Sequence, residues 1–217
     1  MNNLRELREA VITGRRGLVV SLVQNALAEG WAADTIVGEA LVRAMEVVGE
    51  KFSRQEYFLP EMIAAAHAMK AATAELDPLL KGRTSGTIAA CVIGTVQGDL
   101  HDIGKNLVAV MLEGGRFEVL DLGVDVSPDR FVEAVVEHQP ELLGLSALLS
   151  TTMPVMQDVI ATLERAGVRG TVKVMIGGAP VTQQYADKVG ADGYAPDAPS
   201  AVRLAKSLLG LAPLERN

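Results

Sequence analysis

At Thr87 the spacing of apolar residues changes, and the change divides the chain. From there on, short apolar runs alternate with amphipathic helical stretches. "TIAACVIGTV" is unbroken in the way of a strand covered on both faces. "HDIGKNLVAVMLEGG" follows with helical spacing, then "FEVLDLG" as a strand and "SPDRFVEAVVEHQ" as a helix. Ser127 is placed to cap that helix, with Pro128 in its first turn. "ELLGLSAL", "VKVMIGG" and "ADGYAPD" supply three more strands, and "TMPVMQDVIATLERAG", "TQQYADKVG" and "APSAVRLAKSLLG" three more helices. Successive β-α units of this length predict a doubly wound parallel sheet. Ligands on such a sheet sit beyond the carboxyl ends of its strands.

Before that point the spacing is helical throughout. "LRELREAVITG" and "GLVVSLVQNALAEG" each close on a glycine. "AADTIVGEALVRAMEVVGEKF" predicts a third helix capped by Asp34 or Thr35. "YFLPEMIAAAHAMKAATAELDPLL" predicts a fourth, with Pro60 in its first turn and its end at Asp77-Pro78. Helices of this length with short turns predict an antiparallel four-helix bundle. Lys81 to Gly86 is polar and glycine-bearing, so it reads as a linker. The predicted domains are a helical cap over residues 1–82 and an α/β domain over 87–217.

Composition narrows the function. A net charge of −7 lacks the basic excess of a nucleic-acid binder. No apolar run approaches the ~20 residues of a membrane helix, and the N-terminus has no apolar h-region. The single cysteine, Cys91, lies inside an apolar run and reads as a buried small hydrophobe. A cytoplasmic protein is expected.

Polar and glycine-rich clusters fall at the predicted carboxyl ends of three strands. They are Gly98, Asp99, His101 and Gly104; then Ser146 with Ser150 to Thr152; then Gly177-Gly178. Each has an ordinary explanation alone: a helix N-terminus with favourable acids and a surface histidine, helix caps, and a strand-to-helix turn. Their convergence on one rim favours a site. A neutral imidazole ligates through one nitrogen, and its other nitrogen usually donates to a carboxylate that fixes the tautomer. Asp99, two residues before His101, has the reach for that role, which leaves Asp102 to cap the next helix. A protein-only metal site needs several ligands, and this rim offers one. Either His101 is no ligand, or the metal arrives already held by an organic ring. His67 reads as a helix-surface or packing residue, and His138 as a helix-end cation.

These residues resemble the cobalamin-binding modules of corrinoid methyl carriers, including those of cobalamin-dependent methionine synthase and of methylamine, methanol, glycine betaine and aryl methyl ether systems. The family pattern Asp-x-His-x-x-Gly is matched by Asp99-Leu100-His101-Asp102-Ile103-Gly104. Ser-x-Leu is matched by Ser146-Ala147-Leu148, and Gly-Gly by Gly177-Gly178. "VLDLGVDV", "GADGYAPDA", "VVGEKF" and "FLPEM" extend the likeness over nearly the whole chain. The resemblance implies cobalamin, with His101 as the lower axial ligand to cobalt in place of the nucleotide base. It implies that Asp99 orients His101, and that Thr152 continues the relay where the family often has Ser. Gly98, Asp102, Ile103 and Gly104 would border the ring and its displaced tail. Ser146 and Ser150 would bond the buried base, with Leu148, Gly177 and Gly178 lining the same tunnel. Phe52, Leu59 and Met62 would cover the methyl-bearing face.

The implied function is a stand-alone methyl shuttle, non-catalytic alone. A substrate-specific methyltransferase would load it, a second would pass the methyl to tetrahydrofolate, a pterin or a thiol, and a reductive activating protein would rescue it. A cobalamin-dependent sensor, a mutase subunit and a flavodoxin-like domain without cobalamin are the other readings. Specificity would belong to the partner, so methylamines, quaternary amines and methoxylated aromatics all stay open as donors.

Overall fold

The computed structural model describes residues 2–80 and 87–211. The linker expected over residues 81–86 lies outside them. The described residues form two compact units: one runs up to Ile88 and takes in Val110–Phe117, and the other holds Ala89–Ala109 and the chain from Glu118 on.

In the first unit, helices α1 (Asn2–Ile12), α2 (Arg16–Ala28), α3 (Ala33–Ile36), α4 (Arg43–Ser53) and α5 (Leu59–Leu80) follow one another. Helix α2 packs on α5, and α1 on α2 and α4. Leu7, Val11, Val23, Ile36, Leu41, Val48, Met69 and Leu76 bury their side chains. Two local expectations are corrected. The N-cap before α3 is Ala32, with no side-chain bond, so Asp34 falls in the first turn, where its charge still favours the helix dipole. Helix α5 does not stop before Pro78 but continues to Leu80. A proline costs a bond to the preceding turn, and here the buried Leu76 and Leu80 hold the last turn by apolar contact. Between α3 and α4, Val37–Val42 widen into a π-helical segment that no spacing had announced. The Arg8 Nη2 donates to the main-chain oxygen of Glu39 there, at 2.6 Å.

In the second unit the strands are β1 (Ala89–Thr95), β2 (Phe117–Asp121), β3 (Leu142–Ser146), β4 (Lys173–Gly177) and β5 (Gly193–Ala195). They form one five-stranded sheet in the order β2-β1-β3-β4-β5. β1 pairs parallel with β3, β3 with β4 and β4 with β5. The helices between and after them are α6 (Ile103–Gly114), whose residues from Val110 on count with the first unit, α7 (Pro128–His138), α8 (Pro154–Arg165), α9 (Gln183–Val189) and α10 (Ala198–Leu208). Ser127 caps α7 as expected, its Oγ accepting from the Arg130 amide. Val92, Leu143, Leu145, Val174 and Ile176 of the strands and Phe131, Met156, Val159 and Leu163 of the helices build the core. The order reverses between β1 and β3, so the crevice for a ligand opens there. The register brings Thr95, Ser146, Gly177 and Ala195 into one row at the carboxyl ends. Positions far apart in sequence thereby become neighbours.

Candidate functional site

Strand β1 runs out at Thr95, and the chain turns so that the Asp99 amide donates back to the Val96 carbonyl at 3.1 Å. Gly98 carries the turn with φ of +82°, in the left-handed region that side chains rarely adopt. The turn drops Asp99 into the protein, where it has no exposed surface. The Thr95 hydroxyl, also buried, donates to the His101 carbonyl at 2.9 Å and ties the far side of the loop to the strand.

A buried carboxylate is costly unless its oxygens are saturated with donors. Asp99 meets that condition from two directions. Its Oδ1 accepts from the His101 amide at 3.1 Å and from His101 Nδ1 at 2.7 Å. Its Oδ2 accepts from the amides of Leu148 and Leu149 at 2.8 and 3.2 Å and from the Thr152 hydroxyl at 2.8 Å. Burial alone would raise the carboxyl's pKa. The bonds from His101, Thr152 and Leu148 outweigh it and hold the group well below the usual carboxylate range. An ionised carboxylate only accepts, so Nδ1 carries the hydrogen, and in the neutral ring the lone pair is on Nε2. The His101 side chain is 51% exposed against 0% for Asp99. The imidazole is therefore oriented from below and open from above.

Around it several large apolar side chains are exposed beside polar ones such as Asp102 and Asn106. Leu100 and Ile103 are 72% and 70% exposed, and Leu148 and Leu149 also stand out of the core. A β-carbon on Gly104 would meet nothing within 4 Å. The hydroxyls of Ser146 and Ser150 have no hydrogen-bond partner among the described residues. Gly178 lies at φ of +131°, and a β-carbon there would fall 1.8 Å from the Ala147 oxygen, so the β4 end closes tightly on the loop that serves Asp99. Gly177 faces the Ala195 oxygen in the same row.

The expected residues of the second unit thus gather: Gly98, Asp99, His101, Ile103, Gly104, Ser146, Leu148, Ser150, Thr152, Gly177 and Gly178 share the carboxyl rim. Asp102 opens α6 and accepts from Asn106 Nδ2 at 3.1 Å. Phe52, Leu59 and Met62 lie in the helical unit, at the end of α4 and the start of α5. Met62 is fully buried, while Phe58 beside Leu59 is 62% exposed. Residues the spacing did not single out also hold the loop: Thr95, Leu149, Lys105, Asp121 and Asp125. Lys105 and Asp121 left a trace, since a lysine in "DIGKN" and an acid closing "FEVLD" are both unusual beside buried runs. Cys91 is buried as expected, and burial pushes its thiol up to about 12.

The donor set suits a metal that brings its own ring. Among the described residues no three His, Cys, Asp or Glu side chains are grouped to hold an ion. One oriented imidazole, flanked by exposed aliphatic side chains and the open position at Gly104, fits the lower face of a flat, largely apolar macrocycle. Among the same residues no helix is long and apolar enough to cross a membrane.

Comparison with known proteins bears on this fit. A family model described as B12 binding domain matches residues 89–203, and a second of the same description matches 4–77. The dimethylamine corrinoid protein 1 of Methanosarcina acetivorans is 46% identical over 207 residues, 95% of this chain and 97% of that one. The trimethylamine corrinoid protein of Methanosarcina barkeri is 41% identical over 210 residues, 96% and 97% of the two chains. Among solved structures, a cobalamin-binding protein from Desulfitobacterium hafniense has a TM-score of 0.80 at 35% identity, covering 94% of this chain and 98% of that one. The methanol:cobalamin methyltransferase complex of Methanosarcina barkeri gives 0.83 at 28% identity, covering 96% and 80%. Both halves of the chain and the rim between β1 and β3 point the same way: this protein belongs to the B12-binding corrinoid proteins, a family of methyl carriers with cobalamin as its cofactor.

Proposed function

We propose that His101 Nε2 is the lower axial ligand to the cobalt of cobalamin, and that the chain carries a methyl group from a substrate-specific methyltransferase to a second one. The observation that carries this is the Asp99–His101 pair. It is a single imidazole, held at 2.7 Å by a buried carboxylate, and among the described residues no three His, Cys, Asp or Glu side chains group to hold an ion by themselves. When bound, cobalamin supplies the cobalt to which the methyl group is attached and from which it is passed on. The protein's own part is positional. Asp99 fixes the ring plane and keeps the proton on Nδ1. Thr152 and the amides of Leu148 and Leu149 keep Asp99 ionised, so the imidazole stays a good donor. Gly104 leaves room for a nucleotide tail, and the hydroxyls of Ser146 and Ser150, without partners among the described residues, offer it hydrogen bonds.

Methylated amines are the donors to test first, because the dimethylamine and trimethylamine corrinoid proteins are 46% and 41% identical over nearly the full length. The reduced holo-protein, mixed with a dimethylamine or trimethylamine methyltransferase and its amine, is expected to gain the absorption of methylcobalamin. The ligand assignment has a separate test. His101→Ala is expected to keep part of its cobalamin uptake and to lose the histidine-coordinated absorption spectrum. An unchanged spectrum removes His101 from the role.

A further inference from the structure

The rim contains a second acid that the ligand role does not use. Asp125 lies in the loop between β2 and α7, and it holds the His101 loop twice. Its Oδ1 accepts from the Gly98 amide at 2.7 Å, and its own amide donates to the Asp99 carbonyl at 3.1 Å. The next residue, Val126, donates to the Thr95 carbonyl at 3.0 Å and bridges Val96, so this loop continues the sheet past the end of β1. Asp125 itself has φ of +55°, a region that Asp and Asn tolerate better than other side chains. Beyond His101 the same loop makes another attachment. Lys105, in the first turn of α6 and only 3% exposed, pairs with Asp121 at the end of β2. Asp121 Oδ1 also accepts from the Gly123 amide at 2.8 Å.

His101 is thus held between two anchors in residues 121–125, neither of which touches it. One grips Gly98 and Asp99 before it, and the other grips Lys105 after it. The bonds from Leu148, Leu149 and Thr152 fix the Asp99 carboxylate. The His101 main chain is tied at its carbonyl by the Thr95 hydroxyl and at its amide by Asp99 Oδ1, while the position of Gly98 and Asp99 just before it is held by Asp125.

We propose that Asp125 is a positioning residue for the axial ligand. By accepting from Gly98 and donating to Asp99, it sets the backbone height that lets His101 Nε2 reach the cobalt. The proposal rests on the ligand assignment given above. If Asp125 were only a turn residue, its loss would affect stability and leave the coordination alone.

The test compares Asp125→Gly with Asp125→Asn in the full-length protein. Glycine accepts the left-handed backbone and removes the acceptor. Asparagine keeps an acceptor oxygen and the tolerance of that backbone. Each protein is loaded with hydroxocobalamin and reduced to the cobalt(II) state. The fraction showing nitrogen superhyperfine splitting in electron paramagnetic resonance is then read. Asp125→Gly is expected to take up cobalamin with the ratio of histidine-bound to histidine-free cobalt lowered on the order of fivefold, the weight of one hydrogen bond. Asp125→Asn is expected to match the wild type. A glycine variant with the wild-type ratio, or an asparagine variant as poor as the glycine one, overturns the proposal. Asp125→Ala replaces the glycine variant if circular dichroism shows that it has not folded. Splitting absent from the wild type itself would remove the ligand assignment, and this proposal with it.

Discussion

A carboxylate with no exposed surface must find its donors inside the protein, and Asp99 finds five. Thr152 is the one whose loss can be made cleanly. Thr152→Val keeps the shape and removes the hydroxyl, leaving a buried oxygen short of one donor. Urea denaturation is expected to show a loss of about 1–3 kcal/mol, and Thr152→Ser is expected to restore most of it. Cys91 gives a pH test at the same scale. Its thiol is pushed from 9.0 to about 12 by burial, so the folded state disfavours the thiolate. A raised pKa contributes stability in full below the unfolded value of 9.0, and that contribution fades as pH rises toward about 12. A thiol reagent at pH 8 is expected to label Cys91 only at the rate of unfolding, and Cys91→Ala is expected to reduce the loss of stability above pH 9.0.

At the scale of elements, the ends of β3 and β4 carry the strain of the site. Gly178 must remain a glycine, because a β-carbon at its φ of +131° would collide with the Ala147 oxygen at 1.8 Å. Gly178→Ala is expected to destabilise the cofactor-free protein by at least about 1–3 kcal/mol, the cost of a residue forced into such a region. The collision would also move the neighbouring Leu148 and Leu149 amides off Asp99. A matched pair of urea curves checks the first effect, and the histidine-coordinated spectrum of the loaded protein checks the second. The helices and strands themselves were legible because each carries its own spacing. The cap at Ser127 was legible because Ser-Pro at a helix start has a local cause. The start of α3 and the end of α5 were misplaced, since local preference is a weak force there. A buried Ile36 and a buried Leu80 outweigh a missing cap and an awkward proline. The π segment left no trace, because one extra residue in a turn changes neither composition nor the apolar stripe by much.

For the whole molecule, cofactor and fold are expected to be coupled. A ligand that binds only the folded state adds stability in proportion to the logarithm of its excess, about 2.7 kcal/mol at a hundredfold excess over Kd. Hydroxocobalamin is therefore expected to raise the thermal midpoint of the wild type, and to raise that of His101→Ala by less. Thermal denaturation of both proteins with and without the cofactor checks it.

Residue types and their spacing were enough to establish a parallel α/β unit after a helical one, and to pick out Asp99, His101, Thr152 and the glycines as one group. Those features are short-range: an apolar run, a turn, a histidine two residues from an acid. The switch between β1 and β3 depends on which strands pair, and so does the row of Thr95, Ser146 and Gly177. Pairing is decided by packing across the sheet, which no local stretch encodes. The same holds for Asp125 and Lys105. Asp125 is an ordinary polar residue in the chain, and Lys105 is unusual only in lying beside an apolar run. Each becomes an anchor only where the fold brings the β2 end and its loop against the residues that flank His101.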